Sequence, residues 1–177
     1  MKNVMIDLET MGTDSNSAII ALGAVEFGSA GLGEEFYSTI ALSSSTHYGL
    51  KINPDTIMWW MQQSDEARGA FKREGDSLFN VLNKFITFLS ANPDVKVWGC
   101  GSDFDNVILA NAYKAVNLAA PWKFYNNRCY RTMKGLFNKI PIDRIGAHHN
   151  ALDDAKSQAE HLVRIFGSIA GKPKAGA

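Results

Sequence analysis

Two short apolar runs rich in Ile and Val open the chain, Val4 to Leu8 and Ala18 to Phe27, and they restrict the fold more than anything after them. Both read as strands, because branched side chains pack well on a pleated surface. Glu35 to Leu42 alternates well enough for a third strand. The small residues Ser29-Ala30-Gly31 before it suit a hairpin connection, so the sheet begins as an antiparallel meander. Then the period changes. Asn53-Pro54-Asp55 is a helix start with Pro at the first helical position, leading into Thr56 to Gln63. Within Asp76 to Ser90, Leu78, Phe79, Leu82, Phe85, Ile86 and Leu89 make a helical apolar stripe. Asp94 to Trp98 predicts a fourth strand closed by Gly99, and from Ser102 the spacing of Phe104, Val107, Ile108, Ala112 and Ala115 is helical again. A short strand within Lys123 to Tyr130, a helical turn over Thr132 to Phe137 and a final helix over Asn150 to Phe166 complete the reading. Strands first, then helices interleaved with a strand, predict an α/β fold with a mixed sheet flanked by helices.

With 177 residues, 46% of them hydrophobic, and neither repeat nor linker, the chain reads as one domain over residues 1–170 with a frayed tail over 171–177. The 18 Lys and Arg balance the 18 Asp and Glu. A protein that coats nucleic acid by bulk electrostatics needs an excess of cations, so any phosphate chemistry here is local and draws part of its positive charge from bound cations. No window approaches the roughly 18 apolar residues that span a bilayer, so no membrane partner is expected. The start Met1-Lys2-Asn3-Val4 meets acidic residues too early for a secretory signal. Cys100 and Cys129 are too few for a disulfide framework, and the expected compartment is the cytosol.

Asp7-Leu8-Glu9 closes the first strand. Residues two apart on a strand share a face, so two carboxylates stand side by side while Leu8 points away. Like charges that close are tolerated when water solvates them or when a cation sits between them, and oxygen-rich sites suit Mg²⁺ or Mn²⁺. A second acidic group, Asp103-Phe104-Asp105, opens a helix, with Ser102 at a capping-box spacing from Asp105. A third, His148-His149-Asn150-Ala151-Leu152-Asp153-Asp154-Ala155, opens the last helix with Asn150 as N-cap. Taken singly, each is explained by a solvated strand end or by acids favoured at a helix N-terminus. All three in this order ask for another explanation.

Together they resemble the DEDDh 3′→5′ exonucleases, enzymes with the ribonuclease H-like fold of proofreading exonucleases and ribonuclease T. Asp7-Leu8-Glu9-Thr10-Met11-Gly12 resembles the first motif, Phe104-Asp105 with Leu109 the second, and His149-Asn150-Ala151-Leu152-Asp153-Asp154-Ala155 the third. The match spans roughly residues 4 to 166, and Ile52 through Trp60, Val97-Trp98-Gly99 and Arg128 through Thr132 are most similar to small phage and prophage exonucleases and their bacterial relatives. Two positions depart from the pattern: Cys100 stands where many members carry Asn, and Arg131-Thr132 where many read Asp-Thr.

The resemblance implies a ribonuclease H-like mixed sheet and two divalent ions, Mg²⁺ with Mn²⁺ as substitute, held by Asp7, Glu9, Asp105 and Asp154, with His149 as general base. It implies hydrolysis from the 3′ end of single-stranded DNA or RNA, release of nucleoside 5′-monophosphates, and backbone contacts from Thr10, Met11 and Gly12 to the terminal nucleotide. Relatives of this kind often pair as homodimers. Trp59, with Trp60 and Met58, either stacks bases or belongs to the core. Arg128, Arg131, Lys134, Lys139 and Arg144 form the one basic concentration, either a solvated face or a track for a short strand. Two further readings stand beside the exonuclease: a ribonuclease H-like endonuclease, which the third motif disfavours, and a non-catalytic binding module, which has no use for four facing carboxylates. Within the clusters, Asp105 rather than Asp103 fits the second motif. His149 at N′ and Asp154 at N4 are the positions a helix start brings together, which favours His149 over His148.

Overall fold

The computed structural model describes residues 2–72, 74–89, 94–101 and 103–171. Strands β1 (Asn3–Thr10), β2 (Ile19–Gly28) and β3 (Gly31–Thr39) form the expected antiparallel meander. β4 (Lys96–Gly99) pairs parallel with β1, and β5 (Asn127–Cys129) parallel with β4, giving one mixed sheet ordered β3-β2-β1-β4-β5. Helices α1 (Leu42–His47), α2 (Pro54–Met61), α3 (Leu78–Phe88), α4 (Asp105–Ala115), α5 (Tyr130–Leu136) and α6 (Ala151–Ala170) flank it.

The alternation along β1 builds two cores, one on each face of the sheet. Val4, Ile6 and Leu8 face a large cluster with Leu82 and Phe85 of α3 and Ile108 and Leu109 of α4. Met5 faces a smaller cluster with Trp98, Tyr130 and Ala155, Ala159, Leu162 and Ile165 of α6. These side chains are fully or nearly fully buried, and truncating one of the large aliphatic ones to Ala costs about 2–5 kcal/mol. Asp7 and Glu9 continue the face of Met5 beyond the apolar cluster, at the carboxyl end of the strand. β1, β4 and β5 run the same way, so their carboxyl ends and the loops that follow them form one rim. The start of α6 is brought to that rim by Gly23 of β2, where a Cβ would lie 2.2–2.3 Å from the backbone of Ala151 and Leu152.

Several element boundaries differ from the sequence expectation. β3 begins at Gly31 because Gly28 pairs directly with Gly31 across a two-residue turn, and Leu42 already belongs to α1. α1 itself was not foreseen: its sequence Leu-Ser-Ser-Ser-Thr-His has no apolar stripe. Its serines hold it instead, with Ser45 Oγ donating to the Ile19 carbonyl at 2.7 Å and Ser44 Oγ accepting from Leu78 N–H at 2.9 Å. A 3₁₀ turn over Ala67–Lys72 is also new. α4 starts at Asp105, with Phe104 at the N-cap position and no side-chain cap. The expected cap Ser102, and the tail over 172–177, lie outside the described residues. The caps Asn53 and Asn150 match expectation, accepting from Asp55 N–H and from Leu152 and Asp153 N–H. α6 runs one turn past Phe166 to Ala170. Among the described residues no helix is long and apolar enough to cross a membrane.

Candidate active site

Asp7 and Glu9 project from the central strand toward α6, where Asp154 meets them. One oxygen from each of the three carboxylates lies within 4.8 Å of the other two. Gln158, one turn beyond Asp154 on α6, donates from Nε2 to Asp7 Oδ1 at 2.8 Å. Two buried acceptors here have no hydrogen-bond partner among the described residues, Glu9 Oε1 and Gln158 Oε1. An orphaned carboxylate oxygen inside a three-carboxylate cluster is costly unless a cation satisfies it, and an all-oxygen donor set suits a hard divalent ion. The residues present therefore fit a divalent metal.

Asp105 stands beside this group rather than in it. Its Oδ1 accepts from Leu8 N–H at 3.2 Å and its Oδ2 from Cys100 N–H at 2.7 Å, which fixes the carboxylate between the end of β1 and the turn after β4. Gly99 makes room for it, since a Cβ there would lie 2.9 Å from Asp105 Cβ and 2.4 Å from Asn106 Oδ1. Asp103, the rival in the second motif, is exposed and does not line the cleft. Of the four expected ligands the structure thus groups Asp154 with Asp7 and Glu9, and places Asp105 in the same cleft, bonded to the backbone of Leu8 and Cys100.

The third motif is held by backbone bonds to acidic side chains. His149 N–H donates to Asp154 Oδ2 at 3.0 Å, so the N′ and N4 positions do meet across the helix start. Asp153 Oδ2 accepts from Ala147 N–H at 2.8 Å, and Ser157 Oγ from Ile145 N–H at 2.9 Å. Ser157 is buried because the segment before the helix folds over it. His149 has φ +60°, a left-handed conformation uncommon for a residue with a side chain. Its ring sits edge-on to Trp59 and Trp60, with centroids 4.9 and 6.2 Å away, while His148 is exposed beside it.

These groups line one cleft of about 860 Å³. Thr10, Gly12, Trp59, Arg131, Lys134, Arg144 and both histidines also reach it. Two candidate substrate contacts do not. Met11 is buried with its backbone N–H and carbonyl bonded to Ala18 and Asn53, and Arg128 bends back to the carbonyls of Tyr125 and Asn127. The tryptophans divide: Trp60 is core, its Nε1 donating to the Thr10 carbonyl at 2.9 Å, and Trp59 presents an exposed face. Thr10 Oγ1 donates to the Gly12 carbonyl at 2.7 Å and so braces the turn. Arg131 donates to the Cys100 carbonyl at 2.9 Å, which joins the two positions that depart from the sequence pattern. Gln158 is the participant that motif reading missed; its four-residue spacing from Asp154 on one helix face was the available signal.

The electrostatics follow from four carboxylates in a partly dry cleft. Burial, then Asp105, Glu9 and Asp154, push Asp7 well above the usual carboxylate range, against the hydrogen bond from Gln158. Glu9 is pushed up to about 8 by burial and then by Asp154 and Asp105, with Arg144 pulling the other way. Asp105 rises to about 6 through burial, opposed by the N–H groups of Cys100 and Leu8. Burial, and next the neighbouring His148, hold His149 below the ordinary imidazole value. An imidazole so placed is neutral at pH 7 and able to accept a proton.

A mixed sheet with this rim of carboxylates and one histidine defines a ribonuclease H-like nuclease. The model of the 3′-5′ exoribonuclease Rv2179c-like domain matches residues 2–166, and the chain belongs to that family, within the DEDDh 3′-5′ exonucleases. It is similar to an exodeoxyribonuclease of Enterobacteria phage T4, 28% identical over 159 residues that cover 75% of this chain and 70% of the relative. Its fold is that of the nuclease domain of 3′hExo, a DEDDh family member bound to rAMP. That likeness has a TM-score of 0.62 at 17% identity and covers 94% of this chain and 92% of the other. E. coli exonuclease I in complex with a dA16 oligonucleotide is likewise similar, with a TM-score of 0.61 at 15% identity over 96% of this chain and 43% of that one. The chain is an exonuclease.

Proposed function

We propose that the protein hydrolyses phosphodiester bonds one nucleotide at a time from the 3′ end of single-stranded DNA or RNA, releasing nucleoside 5′-monophosphates. The observation that carries this reading is the meeting of Asp7, Glu9 and Asp154, with Asp105 and the neutral His149 beside them, in one cleft with a partnerless carboxylate oxygen at its centre. Asp7, Glu9, Asp105 and Asp154 would hold two Mg²⁺ ions, with Mn²⁺ able to substitute. When bound, these cations lower the pKa of water and offset the charge that builds on the phosphate and the leaving 3′ oxygen.

The chain's own residues do the rest. His149 takes the proton that water loses as its oxygen bonds to phosphorus, and the backbone bond from His149 to Asp154 keeps base and carboxylate in register. The bond that breaks runs from phosphorus to the 3′ oxygen of the preceding nucleotide, so the phosphate leaves with the released 5′-monophosphate. Trp59 offers an exposed face to a base, and stacking of this kind tolerates any sequence. Arg131 and Lys134, on α5 and lining the cleft, draw in the backbone that follows. At about 860 Å³ the cleft lies within the roughly 300–1,000 Å³ of pockets that enclose small ligands, which suits a frayed strand end rather than a duplex.

The two names found among relatives, an exoribonuclease domain and an exodeoxyribonuclease, motivate testing both polymers. Matched DNA and RNA oligonucleotides labelled at either end, incubated with Mg²⁺, test the reading. A 3′ label is expected to appear at once as a mononucleotide, while a 5′-labelled strand shortens stepwise. Internal cuts, or mononucleotide release from the 5′ label first, would overturn it.

A further inference from the structure

We propose that Arg144 is a stand-in cation: in the metal-free protein its guanidinium occupies Asp154, and on metal loading it swings away to hold the phosphate of the terminal nucleotide. The proposal rests on the metal-dependent reading above. It starts from the contacts of Asp154, whose two oxygens have different partners. Oδ2 accepts the His149 N–H, and Oδ1 is ion-paired with Arg144 Nη2, which also donates to the Ala147 carbonyl at 3.2 Å. A divalent ion drawn to Asp7, Glu9 and Asp154 must therefore compete with Arg144 for the oxygen that the backbone leaves free. Arg144 lines the same cleft as Asp7, Glu9 and His149.

Its attachment allows the exchange. The backbone around Arg144 is pinned to α6 through Ile145, Ala147 and His149, so the loop need not move. The side chain is long and partly exposed, and among the described residues it is held beyond Cα by a carboxylate and one carbonyl. A planar guanidinium pairs with phosphate as readily as with carboxylate, using two parallel N–H donors. Arg131, the other arginine of the cleft, is tied to the Cys100 carbonyl, beside Asp105. Once a divalent ion has neutralised Asp154, Arg144 is left with a charge and donors in the cleft, next to the base His149. The substrate phosphate is the anion that arrives there.

Two affinities with opposite expected signs test this, both measured by calorimetry on the full chain without turnover. Arg144→Gln is expected to bind Mn²⁺ roughly 3- to 10-fold more tightly than wild type, because a partly exposed competing ion pair is gone. At saturating Mn²⁺ the same variant is expected to bind adenosine 5′-monophosphate about tenfold or more weakly, because a charge-assisted fork to phosphate is gone. Arg144→Lys keeps the charge without the fork and should lie between the two in both measurements. An arginine that merely braces the loop would weaken both ligands together when replaced. Unchanged or weaker Mn²⁺ binding in Arg144→Gln overturns the proposal, and so does unchanged nucleotide binding. Absence of Mn²⁺ binding in wild type is a different result: it removes the metal-dependent reading itself, and the stand-in role with it.

Discussion

Asp7 and Glu9 stand on a central strand paired with β2 along its length and with β4 over Asn3 to Met5, whereas Arg144 and His149 stand on a segment with neither helix nor strand, held to α6 by three side-chain acceptors. The sheet wall, which carries Asp7 and Glu9, is positioned mainly by backbone pairing with β2, with Asp105 accepting from Leu8 N–H on the other side. The α6 wall is positioned by Asp153, Asp154 and Ser157, each bonded to one backbone N–H of the segment. Substitutions on the first wall should therefore remove chemistry and leave geometry intact, while substitutions on the second should alter both.

The largest effect is expected on the sheet wall. Asp7→Asn should lower turnover by at least about a thousandfold under Mg²⁺ and Mn²⁺ alike, since it removes charge where cations and phosphate meet. Circular dichroism should show the fold unchanged. Asp105→Asn should come close behind, and Asp103→Asn should keep most of the wild-type rate, because only Asp105 is buried between Leu8 and Cys100. A reversed order in single-turnover rates would shift the second motif by two residues.

On the α6 wall, His149→Ala should lower kcat by on the order of a hundredfold and His148→Ala by no more than a few fold, as expected for loss of a general base against loss of an exposed neighbour. Since His149 is held below the ordinary imidazole value, the acidic limb of the wild-type pH–rate profile should fall below the usual histidine range and be absent in His149→Ala. Comparable losses in the two variants would show that the segment matters as a unit rather than one ring.

Stability should report the same contrast. With Glu9 pushed up to about 8 and Asp105 to about 6, the folded protein holds protons that the unfolded chain has released. Between the ordinary carboxylate range and pH 8 the folded state thus binds more protons, and the unfolding free energy falls as pH rises. In EDTA, Tm is expected to drop from pH 5 to pH 8, less steeply in Asp7→Asn, and to recover on addition of Mn²⁺. A flat metal-free profile would contradict the crowding of charge that the cleft shows. The smallest effect is expected from Asp153→Ala, which frees Ala147 N–H. It should cost about 1 kcal/mol, slow turnover a few fold, and speed amide exchange at Ala147 without touching the sheet wall.

The difference between the walls also explains what could be read from the sequence. β1 and β2 were legible as apolar runs because both are buried over most of their length, and the convergence of Asp7, Glu9, Asp105, His149 and Asp154 on one cleft was legible because three motifs fall in order. Where side-chain hydrogen bonds take over, the pattern has no period. α1 is fixed by Ser44 and Ser45, and no apolar spacing announces it. Ser157 is buried under a segment that has no periodic pattern to announce it. The pairing of Arg144 with Asp154 spans an irregular stretch of chain, so neither residue type nor spacing predicts it. Local backbone partners are equally invisible in the pattern: they turn Arg128 back to the Tyr125 carbonyl and engage the backbone of Met11.

Titration of the metal-free protein with Mn²⁺ at pH 7, in buffers of different ionisation enthalpy, tests most directly whether the carboxylates are a cation site. Because burial and crowding push both Glu9, to about 8, and Asp7 up, uptake of the ion at pH 7 is expected to expel at least about one proton per site, and the number should fall as pH rises. Asp7→Asn should bind at least about tenfold more weakly. Mn²⁺ binding of equal strength in Asp7→Asn, or binding that releases no protons at pH 7, would contradict the account.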